Sequence, residues 1–237
     1  GKKSLHILLK KLCEIRGIRW IRILYCYPEE IYDELIETIR DEKKICHYLD
    51  IPIQHASDRI LKRMGRRTSK QELIDIVGKL RKEIPDIVLR TTLITGFPGE
   101  TEEDHEELKE FVDEMEFDRL GVFTYSPEEN TPAAEMADQV PEEVKEERRD
   151  ELMELQQEIS YDRGQDRIGQ ELLVMIEGKV ADESAYIGRT YGDAPKVDGY
   201  IFVQTGELLM TGDFAKVRVT GALEYDLIGV LSDEYTE

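Results

Sequence analysis

Hydrophobic positions in the first two thirds of the chain switch repeatedly between a helical and an extended period. Residues 5, 8, 9, 12 and 15 are apolar at helical spacing, so 4–15 predicts a helix with one apolar face. The β-rich run 20–25 follows and stops at Tyr27-Pro28, and 30–40 returns to the helical period. Residues 48–55 read as a strand whose C-terminal end turns polar at Gln54-His55. Ser57 can cap a short helix ending at Gly65, and Ser69 with Glu72 forms a capping box that opens a helix over 70–84. A third strand pattern, 88–94, runs into the tight loop Gly96-Phe97-Pro98-Gly99-Glu100. Thr101 with Asp104 then starts a helix over 102–115 with an acidic first turn. A fourth strand, 119–125, a loop with Pro127 and Pro132, and a long charged helix over 141–167 complete this part. Strand–helix–strand order at this spacing predicts a parallel sheet with right-handed crossovers, the α/β class. Four strands cannot close a βα barrel, so the missing strands are expected before Gly1.

From Ile168 the pattern changes. Five short strand patterns, at 171–177, 185–190, 200–204, 214–220 and 227–231, are separated by Gly, Asp and Pro turns. That predicts a small all-β sandwich or barrel, hence two domains, 1–167 and 168–237.

Charge narrows the possible partners. The 237 residues carry 52 Asp and Glu against 32 Lys and Arg, a net of −20. Residues 168–237 hold 5 basic and 13 acidic side chains, a net of −8. Phosphate contact needs positive charge, so nucleic acid is disfavoured and a basic partner is favoured. No apolar run approaches the length of a membrane span and the first residues form no signal-peptide pattern, so a cytoplasmic protein is expected. Cys13, Cys26 and Cys46 fit neither a disulfide framework nor a metal motif. The chain lacks an initiator Met and opens on an amphipathic helix, and is therefore expected to be a fragment of something longer.

Ligands of parallel βα arrays bind at the carboxyl ends of the strands. Tyr25 and Tyr27 lie there after the first strand, and Gln54 and His55 after the second. Arg90, Thr92 and the 96–100 loop belong to the third, Tyr125 and Ser126 to the fourth. A planar, neutral-to-anionic small molecule would suit this rim. Each group also has a purely structural reading. The Gly96–Gly99 turn can be a plain βα connection, His55 a hydrogen-bonded core histidine, Arg90 the partner of a helix carboxylate, and the tyrosines packing groups. The acidic run 100–116 reads as a solvated helix face, and the other three histidines fall in or beside outer helices, which leaves no Ser/His/Asp set.

Several of these stretches together resemble the radical S-adenosylmethionine (SAM) methylthiotransferases. They are Ile23-Leu24-Tyr25-Cys26-Tyr27-Pro28, Asp50-Ile51-Pro52-Ile53-Gln54-His55, Leu61-Lys62-Arg63-Met64-Gly65-Arg66-Arg67 and 90–101, with Phe123-Thr124-Tyr125-Ser126 and Thr131-Pro132-Ala133. The segment 186–199 resembles the C-terminal TRAM domain of the branch that modifies an aspartate of a ribosomal protein, the RimO type. The resemblance implies the back part of a partial βα barrel of TIM type, followed by a small TRAM barrel. It implies β-methylthiolation of an aspartate on small-ribosomal-subunit protein twelve, with SAM and two [4Fe-4S] clusters in the full-length enzyme. The cysteine triads that hold such clusters are absent, so the chain is expected to be inactive alone. By resemblance, Gln54 and His55 face the SAM and substrate space, Arg90 and Thr92 reach the polar groups of the methionyl or ribose part, and Gly96, Phe97, Phe123, Thr124 and Tyr125 border the adenine. The partner implied is the ribosomal protein, held by the acidic TRAM domain. Two other readings stay open: a transfer-RNA methylthiotransferase, and a non-catalytic module that binds a basic protein.

Overall fold

A computed structural model describes residues 3–232. The chain forms two compact units, Gly1–Gln156 and Gln157–Glu237. The first contains α1 (Leu5–Cys13), β1 (Ile21–Ile23), a 3-10 turn (Pro28–Glu30), α2 (Asp33–Asp41), β2 (Ile45–Asp50), α3 (Asp58–Arg63), α4 (Lys70–Glu83), β3 (Val88–Thr95), α5 (Glu102–Met115) and β4 (Arg119–Thr124). It also holds the start of α6 (Glu142–Gln165). The four strands are parallel in the order β1-β2-β3-β4, as the alternating pattern predicts.

The two faces of this sheet differ, and β3 shows why. Leu89, Thr91, Leu93 and Thr95 are buried, whereas Arg90, Thr92 and Ile94 are only half-buried. The first set lies under helices whose apolar residues repeat every three or four positions: Leu73, Val77 and Leu80 on α4, and Leu108, Phe111, Val112 and Met115 on α5. The second set keeps polar groups on the other face. Both capping boxes form: Ser69 with Glu72 opens α4, and Thr101 with Asp104 opens α5. Of the apolar stripe expected in the first helix, Leu9 alone is fully buried, and Leu8 and Ile15 are about half exposed.

The second strand departs from its predicted bounds. Cys46 and His47, placed by the pattern in a connection and beside a helix, lie inside β2, which ends at Asp50. Pro52 cannot donate to the ladder. The segment after it rejoins β3 only at Gln54, whose N–H donates to the Thr92 carbonyl at 2.9 Å and whose carbonyl accepts from Ile94 at 2.9 Å.

The second unit is a closed five-stranded barrel of β5 (Glu171–Lys179), β6 (Ala185–Arg189), β7 (Ile201–Gln204), β8 (Phe214–Ala222) and β9 (Leu227–Leu231), in the order β5-β6-β7-β9-β8. All five fall where the short strand patterns stand. Leu172, Val174, Ile176, Tyr186, Ile201, Val203, Val217 and Val219 fill its interior. No described helix is long and apolar enough to cross a membrane.

Candidate functional site

The carboxyl ends of β1–β4 and the open face of β3 hold most of the expected residues. Asp50, Arg90 and Arg119 share one register across β2, β3 and β4, as do Thr92 with Gly121 and Ile94 with Phe123. Partners in register share a face, so Arg90, Thr92 and Phe123 stand on the same side of the sheet. Arg90 Nη1 donates to Asp50 Oδ1 at 2.9 Å and to Thr92 Oγ1 at 3.2 Å. The pair is largely withdrawn from water, with side-chain exposures of 15 % and 13 %. The partner of Arg90 is therefore a carboxylate on the next strand, where a helix carboxylate had been the structural alternative. Gly121 carries no side chain beside it, and a Cβ there would lie 3.5 Å from Arg90 Nη2. That opening in front of a fixed guanidinium suits an anionic or hydroxyl-bearing ligand.

Apolar surface rings the same edge. Phe123 is 59 % exposed and Tyr25 61 %, and Tyr25 meets Tyr27 edge to face with centroids 5.7 Å apart. Thr124, the last residue of β4, is half-buried. Tyr25 and Gln54 have φ of 60° and 75°, left-handed backbone that costs about 1–3 kcal/mol each and gathers at functional sites.

The loop after β3 is built differently from the open face. Glu100 is buried and binds three ways. Its Oε2 accepts from the N–H groups of Gly96 at 2.8 Å and Phe97 at 3.3 Å, and its Oε1 accepts from Arg148 Nη1 at 3.0 Å. His55 is fully buried; its Nδ1 accepts the Ser57 N–H at 3.0 Å, which leaves the proton on Nε2, 3.4 Å from Glu100 Oε2. This corrects the placement of His55 toward a ligand space: it is turned into the loop as a structural group. Phe97 and Tyr125 are likewise more enclosed than a rim position implies. They pack edge to face at 5.2 Å in a cluster with Ile60, Met64, Ile94, Ala133 and Met136. Gly96 has φ 70° and lies under Lys145, whose Nζ donates to the Tyr125 carbonyl at 2.9 Å. The first half of α6 thus reaches over the loop through Lys145 and Arg148.

The acidic run 100–116 is not all solvated. Glu100 and Asp104 are buried with specific partners, while Glu102, Glu103, Glu110, Asp113 and Glu114 are exposed as predicted. Asp104 accepts from Ser57 Oγ at 2.6 Å, from the Thr101 N–H at 2.8 Å, and from Arg59. Burial pushes its carboxyl up, but the hydrogen bonds from Ser57, Arg59 and Thr101 outweigh it and hold the group well below the usual carboxylate range. A depressed pKa contributes stability above the unfolded value, about 3.9, and the contribution is lost as pH falls below it. Asp104→Asn is therefore expected to cost about 1–3 kcal/mol in urea denaturation at neutral pH. The gap to the parent should close as pH falls below about 4. A gap that stays constant down to acid pH would refute the ionic role.

No set of three His, Cys, Asp or Glu side chains among the described residues is placed to hold a metal ion. The cysteines do not fit a cluster. Cys26 is buried, and burial together with Glu30 pushes its thiol up to about 11, so it is not a ready thiolate ligand.

Comparison with known proteins finds relatives of both parts of the chain. Residues 2–112 match the radical SAM superfamily and residues 168–231 match the TRAM domain. The chain is 66 % identical over 97 % of its length to the ribosomal protein uS12 methylthiotransferase RimO of Lachnoclostridium phytofermentans. It is 53 % identical over its whole length to the protein of the same name from Clostridium botulinum strain Langeland. It spans about half the length of these curated relatives, 52 % and 53 %. Among solved structures, coproporphyrinogen III oxidase (HemN) of Escherichia coli, described as a radical SAM enzyme, superposes with a TM-score of 0.56. That match has 17 % identity and covers 92 % of this chain and 51 % of HemN, which speaks to fold alone.

Proposed function

We propose that the chain belongs to the radical SAM methylthiotransferases of the RimO type, and that the protein it forms part of methylthiolates an aspartate β-carbon of ribosomal protein uS12. The observation that carries the reading is the 66 % identity over 97 % of the chain, joined to a polar cradle at the expected edge of the sheet. We take 1–167 as part of the βα barrel and 168–237 as the TRAM domain.

SAM, when bound, would supply the radical precursor and the methyl group. Toward it, this chain's residues bind and orient. Arg90, locked by Asp50, would hold the carboxylate or ribose hydroxyls, with Thr92 beside it. Phe123 would offer a ring face to the adenine, and Thr124 would border it. The Gly96–Phe97 backbone and Tyr125 would close the apolar side. Gln54, held in its left-handed conformation, would face the substrate. Among the described residues no set of side chains is placed to hold the [4Fe-4S] clusters that the family uses.

Arg90→Ala in the full-length protein is expected to weaken SAM binding on the order of ten-fold or more, with Asp50→Asn giving a smaller loss in the same direction. Equilibrium dialysis with labelled SAM reads this directly, and unchanged binding in both variants would remove Arg90 from the site. The function itself is tested by reconstituting the full-length protein with iron and sulfide and incubating it with SAM and uS12. Mass spectrometry should find a methylthio group on one aspartate. The transfer-RNA reading has the barrel charge against it, since phosphate contact needs Lys and Arg. Modified transfer RNA with unmodified uS12 in that assay would nevertheless establish it.

A further inference from the structure

Arg66 takes part in neither the Asp50–Arg90–Thr92 cradle nor the contacts of Glu100, yet it joins two strand ends. The turn that carries it, after α3, is closed first. The Gly65 N–H donates to the Lys62 carbonyl at 3.1 Å and the Arg66 N–H to the Leu61 carbonyl at 2.8 Å, with Gly65 at φ 73°. From there the half-buried Arg66 side chain makes two contacts. Its Nη2 donates to the carbonyl of Pro52, two residues before Gln54. Its guanidinium lies over the Tyr27 ring, 5.0 Å from the centroid. Tyr27 in turn meets the Tyr25 ring edge to face. Between the two tyrosines, the Cys26 N–H donates to the Asp50 carbonyl at 2.7 Å. One cation thus spans the ends of β1 and β2. Tyr25 and Gln54, both in left-handed backbone, each lie two residues from one of its contacts.

What the clip holds has the chemistry of a peptide contact. Tyr25 keeps 61 % of its surface in water, so packing does not account for its costly backbone. A fixed, exposed aromatic ring offers large contact area at little cost in side-chain entropy. The Gln54 backbone N–H and carbonyl are committed to β3, while its half-buried side-chain amide can both donate to and accept from a peptide group. Only arginine suits the clip, because its planar face can stack on a ring while an in-plane N–H reaches a carbonyl. We infer that Arg66 is a positioning residue that fixes Tyr25 and Gln54 as the contact surface for an extended segment of the polypeptide substrate, separate from the Asp50–Arg90–Thr92 cradle. The inference deepens the proposed function and rests on it, with uS12 as the polypeptide.

The test uses the reconstituted full-length protein under a chemical reductant. Initial rates of uS12 methylthiolation are read by mass spectrometry against uS12 concentration, and SAM affinity by equilibrium dialysis. Arg66→Met is expected to raise KM for uS12 about ten-fold, leave kcat within about two-fold of the parent, and leave SAM affinity unchanged. Arg66→Lys should recover part of the loss, since an ammonium group can serve the ring or the carbonyl but not both. Tyr25→Ala removes the contact surface itself and should raise KM similarly; adding Arg66→Met to it should raise KM by less than in the parent. Arg67→Met, at the exposed neighbour, removes the same charge without touching the clip and should behave as the parent. A parent-like KM in Arg66→Met overturns the inference. So does an equal loss of SAM affinity, which would make Arg66 general scaffolding, or an equal KM rise in Arg67→Met, which would reduce the effect to lost charge. Should Arg66→Met fail to fold, Arg66→Lys and Tyr25→Ala decide by the same split between KM for uS12 and SAM affinity. A parent that leaves uS12 unmodified ends the proposed function and this inference with it. A parent that modifies uS12 while the variants behave in any of the contrary ways removes this inference alone.

Discussion

Gly96→Ala is expected to destabilise the first unit by about 2–5 kcal/mol, the sum of two separate costs. Left-handed backbone at a residue with a Cβ costs about 1–2 kcal/mol, and Gly96 has φ 70°. The new methyl group would also lie 2.1 Å from Lys145 Cγ and 3.0 Å from its Cβ. Such an overlap forces the neighbour to move, at about 1–3 kcal/mol. Lys145 is poorly placed to give way, since its Nζ is tied to the Tyr125 carbonyl at 2.9 Å and to Glu142 at 2.9 Å. Lys145→Ala removes the Cγ overlap and leaves the backbone cost, so the two substitutions should couple. Adding Gly96→Ala to Lys145→Ala should cost only about 1–2 kcal/mol in urea denaturation. Equal costs in both backgrounds would show that the loop shifts away from Lys145 freely. Gly99, with φ 83°, offers the contrast: its added methyl would meet the guanidinium of Arg63, the far end of a flexible side chain, so the backbone cost alone should appear.

Local chemistry made much of this unit legible. Ser69 with Glu72 and Thr101 with Asp104 announce their helices because each box closes within three residues. The barrel strands are legible for a related reason: alternation over four to nine residues maps onto one inward and one outward face. What the pattern cannot carry is partnership at a distance. The Glu100 carboxylate meets Arg148, 48 residues later, and Asp50 meets Arg90, 40 residues later. The pattern therefore offers Glu100 as the end of a tight loop and the start of an acidic run, and Asp50 as the first residue of a recognisable stretch, without naming the partner of either. His55 shows the same limit from the other side. Its position after a strand pattern fits a ligand-facing group, and only the Ser57 N–H and Glu100 reveal it as internal scaffolding. The edge of β2 was misread because the polar run before Ile45 hides the strand's start, while Ile51 and Ile53, both buried, extend the pattern past its end.

The division of labour around β3 follows from these contacts. One group, Asp50 with Arg90 and Thr92, sits on the open face and is fixed by one short bond between strands and one along β3. The other, Glu100 with Arg148, His55 and Lys145, never reaches that face but holds the backbone of Gly96 and Phe97 beside it. A ligand gripped by the first group would press against a loop made rigid by the second. Substitutions in the two groups should then separate: the first lowers affinity in a stable protein, the second lowers stability and affinity together.

Glu100→Gln is expected to be the more damaging change, at about 3–5 kcal/mol, because it breaks a buried ion pair and leaves the other charge behind. Glu100 and Arg148 have side-chain exposures of 0 % and 8 %. The replacement keeps the shape and one acceptor oxygen, so at best it can still serve either the loop amides or Arg148, not both. Arg148 would retain its bond to Glu102 at 3.1 Å, but Glu102 is 70 % exposed and its carboxylate is screened by water. Arg148→Met should cost less, because Glu100 keeps the two amide donors and His55 as neighbours. The double variant Glu100→Gln with Arg148→Met removes both charges, and its cost should fall short of the summed single costs by about 1–3 kcal/mol. Urea denaturation of the four proteins gives the coupling directly, and simple additivity would sink the ion pair as the clamp of this loop. Labelled SAM binding by the same full-length variants should track their stability, with Glu100→Gln weakest, if the clamp acts by holding the Gly96–Phe97 backbone in place.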